Sequence, residues 1–236
     1  MIINIPDPIE EFRSWDPFSP HPKKVLSVAS IVNDKHKFLS TLSTACRLCQ
    51  NCELGIKEAE RTIGEVIIAR DPHVFSNMAY SSRFLVVGQN PGWEELEKGE
   101  PFVGAAGRNF NKALERNGMS RSDFYISNAV KCFTPNNTKP TRRQQEKCST
   151  WLQIEINTIK PIFVITLGAS AFDVLCPDLK YSSSLGTIVK SDEFGVKIFP
   201  IYHPSPLNAE NLPEFNHQID VLCELIIRFK DRKLPE

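Results

Sequence analysis

The sequence predicts an α/β protein of three layers, in which helices cover both faces of a central, mostly parallel, four-stranded sheet. The first observation is a set of short apolar runs, rich in β-branched and aromatic residues, which are typical of strands buried on both faces. These runs occupy residues 84–87, 124–126, 162–165 and 198–201. The second observation is that helical segments separate the runs, and strand–helix alternation favours a parallel sheet.

The helices predicted around this sheet are segments with apolar residues at helical spacing. They cover residues 107–117, 141–159, 169–176 and 215–229. The beginning of the chain is different, because five prolines fall within the first 22 residues. We therefore interpret residues 1–44 as an N-terminal extension, in which a further helix can be placed over residues 25–42, and we expect the domain to span residues 45–236.

Composition and charge narrow the class of protein. The 236 residues suffice for a full core, and the 28 basic residues balance the 28 acidic ones, so net charge indicates neither a nucleic acid nor a membrane as partner. No apolar run approaches the roughly 18 residues of a membrane span. The first residues lack the basic and apolar regions of a signal peptide. We therefore expect a cytoplasmic protein without membrane segments, and we take it to be a monomer.

Two of three candidate motifs directly follow predicted strands, where α/β proteins of this kind bind their ligands. Residues 88–92, GQNPG, form either a simple turn or a loop whose backbone approaches a ligand closely. Phe102 lies in a glycine-rich segment before a helix, and it is either a core residue or a surface on which a ring stacks. His203 lies in residues 202–207, YHPSPL, and is either structural or catalytic.

The seven cysteines are expected to be free thiols or metal ligands, because their number is odd and the expected compartment is reducing. Cys46, Cys49 and Cys52 form a C-x-x-C-x-x-C pattern, and Cys132 and Cys148 follow. Four thiolates at such spacings suit zinc or an iron–sulfur cluster, and spacing alone does not choose between them. The remaining two stand alone in apolar helical segments and are expected in the core: Cys176 and Cys223.

The loop over residues 131–147 is strongly basic, with five Lys or Arg residues and one Glu. Lys139, Arg142 and Arg143 are among the five. Such a loop is either a solvated surface or a patch that contacts phosphates. The second interpretation would reconcile a neutral chain with a nucleic-acid partner.

Taken together, these motifs resemble the uracil-DNA glycosylase superfamily, and most closely its iron–sulfur-containing family four. Residues 88–107, GQNPGWEELEKGEPFVGAAG, follow the family's first motif without a gap. Residues 128–132, NAVKC, match its asparagine and third cluster cysteine, and residues 203–205, HPS, match its final motif. The resemblance runs from about residue 49 to residue 229 and leaves the first 40 residues outside.

The resemblance implies that the protein flips uracil out of single- or double-stranded DNA and hydrolyses its N-glycosidic bond, leaving an abasic site. Phe102 would stack on the base, and Asn128 would hydrogen-bond its amide edge. The backbone of Gly88 and Gly92 would approach it. His203 would donate to the uracil oxygen as negative charge develops there. In a prokaryote such an enzyme would act at the nucleoid.

The same resemblance implies DNA contacts and a metal centre. Leu207 would insert into the gap left by the base, while Ser205 and the basic loop would hold phosphates. The basic residues concerned are Lys139, Arg142 and Arg143. A [4Fe–4S] cluster, with zinc as the alternative, would have four cysteine ligands: Cys49, Cys52, Cys132 and Cys148. Cys46 could take the place of either of the first two.

Two positions depart from the family. Gln89 stands where the family has Glu, and Leu96 where it has Asp, so a general base is missing from its usual place. Asn90 would orient the water instead, as in relatives with a G-x-N-P-G motif, while Glu95 keeps the second carboxylate. An amide orients water without taking its proton, which suits a dissociative transition state. Two alternatives remain: a weak or inactive relative that only binds the lesion, and a glycosylase for another deaminated base.

Overall fold

The computed structural model of the protein describes residues 34–231. In chain order its strands are β1 (Ala59–Ile63), β2 (Val66–Arg70), β3 (Phe84–Gly88), β4 (Tyr125–Asn128), β5 (Phe163–Leu167), β6 (Val189–Ser191) and β7 (Val196–Ile201). Its α-helices are α1 (Lys35–Arg47), α2 (Glu53–Ile56), α3 (Trp93–Lys98), α4 (Ala105–Glu115), α5 (Arg142–Ile159), α6 (Ala169–Leu175), α7 (Tyr181–Ser184) and α8 (Leu212–Asp231). Short 3₁₀ helices lie at Arg121–Asp123, Pro135–Asn137 and Pro206–Asn211.

The central sheet has the strand order β4-β3-β5-β7-β6. The four predicted strands are β3, β4, β5 and β7, and all of them are parallel. The prediction of four strands is one short, because β6 adds an antiparallel strand beside β7. It escaped detection because Val189–Ser191 has only three residues and no continuous apolar run. The hairpin β1–β2 was also missed, since nearly all of its residues are exposed.

The sheet is covered on both faces, which confirms the three-layer prediction. Every residue of β3 and β5 is buried. Leu85 and Val87 point into a core that includes residues of α1, α5 and α6. Phe84 and Val86 point into a second core, which α4 and α8 complete. Alternate residues of one strand therefore serve two separate cores, as in a sheet buried on both faces.

The N-terminal extension predicted for residues 1–44 lies largely outside the described residues, as does the first part of the helix placed over residues 25–42. Helix α1 begins after Asp34, whose carboxylate accepts a hydrogen bond from the backbone N–H of Lys37 at 3.0 Å. This is a side-chain N-cap. The helix buries Phe38, Leu39 and Leu42 in the core and crosses the predicted boundary between residues 44 and 45.

Parallel pairing brings the carboxyl ends of neighbouring strands to one edge of the sheet. Gly88 at the end of β3 lies opposite Asn128 at the end of β4. Leu167 at the end of β5 lies opposite Ile201 at the end of β7. The loops that follow these strands therefore start side by side. Within residues 34–231, no helix combines the length and apolar character needed to cross a membrane.

Candidate active site

A cleft of about 750 Å³ opens at this carboxyl edge. The predicted site residues that line it are Gln89, Asn90, Gly92, Glu95, Phe102, Asn128, His203, Ser205 and Leu207. They come from the ends of three strands, from α3 and from the loops on either side of that helix. Residues separated by more than a hundred positions in the chain thus share one cavity, as the strand-end motifs predicted.

Gly88 forms the floor on which the Phe102 ring and the Asn128 amide converge. A Cβ atom at position 88 would lie 2.4 Å from Cε2 of Phe102 and 2.6 Å from Oδ1 of Asn128. Only glycine leaves room for both groups. The Phe102 ring also lies near the His203 ring, with 6.2 Å between their centroids. An aromatic ring, a side-chain amide and an imidazole therefore face one region of the cleft.

Phe102 is held in an unusual backbone conformation. Its φ is +54°, in the left-handed region that bulky residues rarely occupy. The guanidinium of Arg121 donates hydrogen bonds to the carbonyl oxygens of Phe102 and Pro101, both at 2.8 Å, and to Oε1 of Glu100 at 2.7 Å. Strain at such positions persists only when the surroundings hold it. Arg121 supplies part of that restraint, and no sequence motif indicated this role for Arg121.

Glu95 supplies a second restraint on the same loop. Its Oε1 accepts hydrogen bonds from the backbone N–H groups of Val103 (2.9 Å) and Gly104 (2.8 Å). Its Oε2 accepts one from the N–H of Gly92 at 3.0 Å. Both carboxylate oxygens are therefore directed at backbone amides. This geometry ties the loop after β3 to the Phe102 loop.

Gln89 and Asn90, the first two residues of the loop after β3, have side-chain amides that are hydrogen-bonded to each other. Gln89 Nε2 donates to Asn90 Oδ1 at 2.7 Å. Asn90 Nδ2 donates to Thr134 Oγ1 at 3.2 Å and to the carbonyl of Pro91 at 3.0 Å. The Asn90 side chain is thus oriented by partners from two loops, and such a fixed amide can hold a water molecule in a defined position.

His203 follows β7 and packs against the backbone at the start of α6. Gly168 has a φ of +86°, and a Cβ there would lie 3.0 Å from the Cβ of His203. Burial lowers the pKa of His203 from 6.5 to about 4, so its imidazole is neutral at pH 7. In the described part of the chain its ring has no hydrogen-bond partner. One ring N–H is therefore available to a ligand in the cleft.

The loop after His203 presents an apolar side chain to solvent. Ser205 Oγ accepts a hydrogen bond from the backbone N–H of Leu207 at 3.2 Å and caps the 3₁₀ helix that follows. The Leu207 side chain is 95% exposed at the rim of the cleft. Asn109 Nδ2 donates to the carbonyl of Pro204 at 2.9 Å, which anchors this loop to α4. A leucine this exposed on an anchored loop is suited to contact a partner.

The basic side chains of the 131–147 loop do not line the cleft, although Asn137 of that loop does. Lys139 pairs with Asp173 at 3.4 Å, and Arg142 pairs with Glu146 at 3.0 Å along α5. Arg143 is exposed at the start of the same helix. Among residues 34–231, Arg61 of β1 is the cationic side chain that lines the cleft, and its guanidinium lies 5.7 Å from the centroid of a Trp93 ring. Sequence reasoning missed Arg61 because the hairpin lacks an apolar alternation.

Five cysteines line one small cavity between α1, α2, the loop after β4 and α5. They are Cys46, Cys49, Cys52, Cys132 and Cys148. The backbone N–H of Lys131 donates to Cys148 Sγ at 3.2 Å, and burial raises the pKa of the Cys148 thiol to about 12. No three histidine, cysteine or carboxylate side chains in residues 34–231 are arranged to hold a single metal ion. The remaining pair, Cys176 and Cys223, is buried elsewhere, as predicted.

An aromatic ring, a side-chain amide and a neutral imidazole thus face one cleft at the carboxyl edge of a parallel sheet, an arrangement suited to a flat heterocycle with hydrogen-bonding edges. The exposed rim leaves the cleft open to a larger molecule that carries this ring. The chain belongs to the uracil-DNA glycosylase superfamily, whose family model matches residues 75–225. The resemblance inferred from the motifs is thereby confirmed.

Individual relatives agree with this membership. The chain is 32% identical to a type-4 uracil-DNA glycosylase of Thermotoga maritima. The 177 aligned residues cover 73% of this chain and 84% of the relative. A type-4 uracil-DNA glycosylase of Saccharolobus solfataricus is 31% identical to this chain. The aligned residues cover 71% of this chain and 76% of the relative. A type-5 uracil-DNA glycosylase of Pyrobaculum aerophilum is 32% identical to this chain, and the aligned residues cover 55% of this chain and 64% of the relative.

Proposed function

We propose that the protein is a uracil-DNA glycosylase of DNA repair, which hydrolyses the N-glycosidic bond of uracil and leaves an abasic site. The observation that carries the proposal is the convergence of Phe102 and Asn128 over Gly88, with the His203 ring 6.2 Å from the Phe102 ring, in a member of this superfamily. A base inside a duplex is out of reach, so it has to be flipped into the cleft.

Recognition of uracil rests on two side chains. The Phe102 ring stacks on the flipped base, since every base has a π-face. The Asn128 amide offers a donor and an acceptor and reads the amide edge of uracil. The narrow floor at Gly88 and Gly92 brings the backbone close to the base. Thymine is excluded by crowding at the carbon that bears its methyl group.

Cleavage separates a uracil anion from a cationic sugar, because the electrons of the glycosidic bond leave with the base. The neutral His203 imidazole donates its ring N–H to the uracil oxygen on which negative charge develops, and this stabilises the leaving group. Water then attacks the sugar and releases a proton to solvent. Asn90, held by Gln89, orients that water without deprotonating it.

Glu95 acts in this proposal as a positioning residue. Three backbone N–H groups occupy its two oxygens, and these bonds shape the loops on which Gly92 and Phe102 lie. A carboxylate committed to such bonds does not serve as a general base for water. Its contribution to catalysis is therefore the placement of the stacking ring.

DNA binding is proposed to centre on the rim of the cleft. Leu207 inserts into the stack where the base has left, and the Ser205 hydroxyl donates to a phosphate while it caps its helix. Arg61 supplies positive charge on the cleft wall. The basic residues Lys139, Arg142 and Arg143 lie outside the lining, so any phosphates that they contact flank the lesion.

A [4Fe–4S] cluster is proposed in the cavity lined by the five cysteines. The support for this proposal is that five cysteine thiols share one cavity, a donor set that suits an all-thiolate cluster, with zinc as the alternative. The type-4 name of the relatives supports the same assignment. When bound, the cluster ties together the segment before α2, the loop after β4 and α5. Cys49, Cys52, Cys132 and Cys148 are proposed as ligands, with Cys46 as the alternative to either of the first two.

The test of activity is incubation with an oligonucleotide that contains one uracil, followed by alkali to cleave abasic sites. We expect cleavage by the wild-type protein and by His217→Ala, an exposed histidine outside the cleft, but not by His203→Ala. Binding of uracil DNA without cleavage would instead support a lesion-binding relative. Cleavage only at deaminated purines would support a glycosylase for another base.

The test of the cluster is the iron and sulfide content of anaerobically purified single Cys→Ser variants. Serine at a ligand position should lower both contents, whereas serine at Cys223, which is buried in the other core, should leave them unchanged. Comparing Cys46→Ser with Cys49→Ser and Cys52→Ser identifies which of the three is not a ligand. Equal iron content in all of the variants would contradict the proposed cavity.

A further inference from the structure

Lys131 and Glu155 form an ion pair whose two side chains are both 0% exposed. The ammonium of Lys131 donates to Ser127 Oγ at 2.5 Å, to the backbone carbonyl of Asn128 at 2.8 Å and to Oε2 of Glu155. Its three protons are thus all used. One of the three acceptors belongs to the residue proposed to read uracil.

The carboxylate of Glu155 is equally well satisfied. Its Oε1 accepts hydrogen bonds from the hydroxyls of Tyr125 and Ser127, both at 2.9 Å. Tyr125 and Ser127 belong to β4, and Glu155 belongs to α5. The network therefore fixes β4 against α5, one of the helices that cover the sheet.

A buried ion pair is a weak source of stability, because removing two charges from water costs about as much as their attraction returns. A pair of apolar residues would fill the same space. The position of this pair is more informative than its energy, since the ammonium contacts the chain at Asn128. On the other side, the N–H groups of Ala129 and Val130 donate to the carbonyls of Gly88 and Gln89 at 2.8 and 2.9 Å.

We propose that Lys131 is a positioning residue for uracil recognition, which sets the orientation of the Asn128 amide by holding the Asn128 carbonyl. This inference rests on the proposed role of Asn128. Backbone bonds to the β3 loop and the ammonium bond together leave the Asn128 peptide no freedom to rotate. Because the N–H of Lys131 donates to Cys148 Sγ and Cys132 follows directly, the same residue joins the recognition edge to the cysteine cavity.

The experiment measures the affinity of free uracil by competitive inhibition, together with kcat and KM for uracil DNA. Lys131→Met should weaken uracil binding about three- to tenfold and raise KM, which corresponds to the loss of about one hydrogen bond to the base. The double variant Lys131→Met with Glu155→Gln removes both charges and keeps the shape, so that an unpaired buried carboxylate does not unfold the protein.

Tyr125→Phe is the matched control, because it removes a hydrogen bond to Glu155 without touching Asn128. We expect it to lower the unfolding midpoint while leaving uracil affinity within twofold of wild type. Asn128→Ala is the reference for the role of Asn128 and should lose at least about tenfold in affinity. If Asn128→Ala loses affinity and the folded double variant does not, Lys131 is only a structural residue and the inference is overturned. If Asn128→Ala binds uracil normally, the proposed role of Asn128 fails first, and the inference fails with it.

Discussion

Replacing Arg121 with methionine should release the loop that presents Phe102 to the base. The guanidinium makes three hydrogen bonds to this loop, two of them to the carbonyl oxygens of Pro101 and Phe102, and its side chain is only 23% exposed. Methionine keeps most of the apolar stem but none of the donors. The remaining restraint is the set of bonds from Glu95 to Val103 and Gly104.

The magnitude follows from the strain and the bonds that oppose it. A residue such as Phe102 in the left-handed region costs about 1–3 kcal/mol relative to ordinary backbone. Hydrogen bonds from a charged donor contribute about 1.5–3 kcal/mol each, and partial exposure of Arg121 favours the lower end. Two carbonyl bonds therefore outweigh the strain, and their loss lets the loop relax. A shift of about 1.4–2.8 kcal/mol corresponds to a 10- to 100-fold fall in kcat/KM.

The assay is steady-state and single-turnover excision of uracil from an oligonucleotide. We expect the loss mainly in KM, because a smaller fraction of molecules has the ring in place. Arg121→Lys should be intermediate, since an ammonium does not reproduce the planar fork. Arg116→Met, which removes a half-exposed ion pair with Asp220, should stay within twofold of wild type. Normal kcat/KM in Arg121→Met would refute the reasoning.

Three further substitutions test the floor, the imidazole and the rim of the cleft. Gly88→Ala places a methyl group 2.4 Å from the Phe102 ring, so KM for uracil DNA should rise about tenfold or more, and unchanged kinetics would contradict the packing. Because the pKa of His203 is about 4 in the folded protein against 6.5 unfolded, only the unfolded chain gains this proton as pH falls from 6.5 to 4. The free energy of unfolding should therefore fall through this window more steeply in wild type than in His203→Gln, as urea denaturation at several pH values would measure. Leu207→Ala should leave the unfolding midpoint unchanged and lower excision from duplex DNA about tenfold, with little change on single strands, because only the duplex has a gap to fill; equal losses on both substrates would argue against insertion.

Much of the fold could be predicted because the strands are buried on both faces. Such strands appear as continuous apolar runs, and the runs at 84–87 and 162–165 coincide with β3 and β5 to within a residue or two. The edge strand β6 and the exposed hairpin β1–β2 carry no such signal. Nearly all residues of the hairpin are exposed, and β6 has only three residues, so pairing with a neighbour, rather than local pattern, makes these segments strands.

The candidate site likewise has features that the sequence revealed and features that it did not reveal. Its strand-end motifs could be found because parallel strands deliver their following loops to one edge. The roles of individual charges could not be found. Glu95 differs from a free carboxylate only through its bonds to three backbone amides, and Lys139 differs from a free cation through Asp173. Such pairings join residues that are distant in the chain or that depend on loop conformation.

The sequence by itself determined the class of fold, the edge of the sheet that carries the site, the glycine–phenylalanine loop, the final histidine and the set of cysteines. Each of these depends on residue types at short spacing, which a chain displays before it folds. Only the tertiary structure decided that Arg121 restrains Phe102, that Lys131 is buried against Asn128, and that the basic side chains of the 131–147 loop lie outside the cleft. These contacts join side chains from separate elements that meet only when the chain packs. The surroundings created by that packing set the energy of each charged side chain.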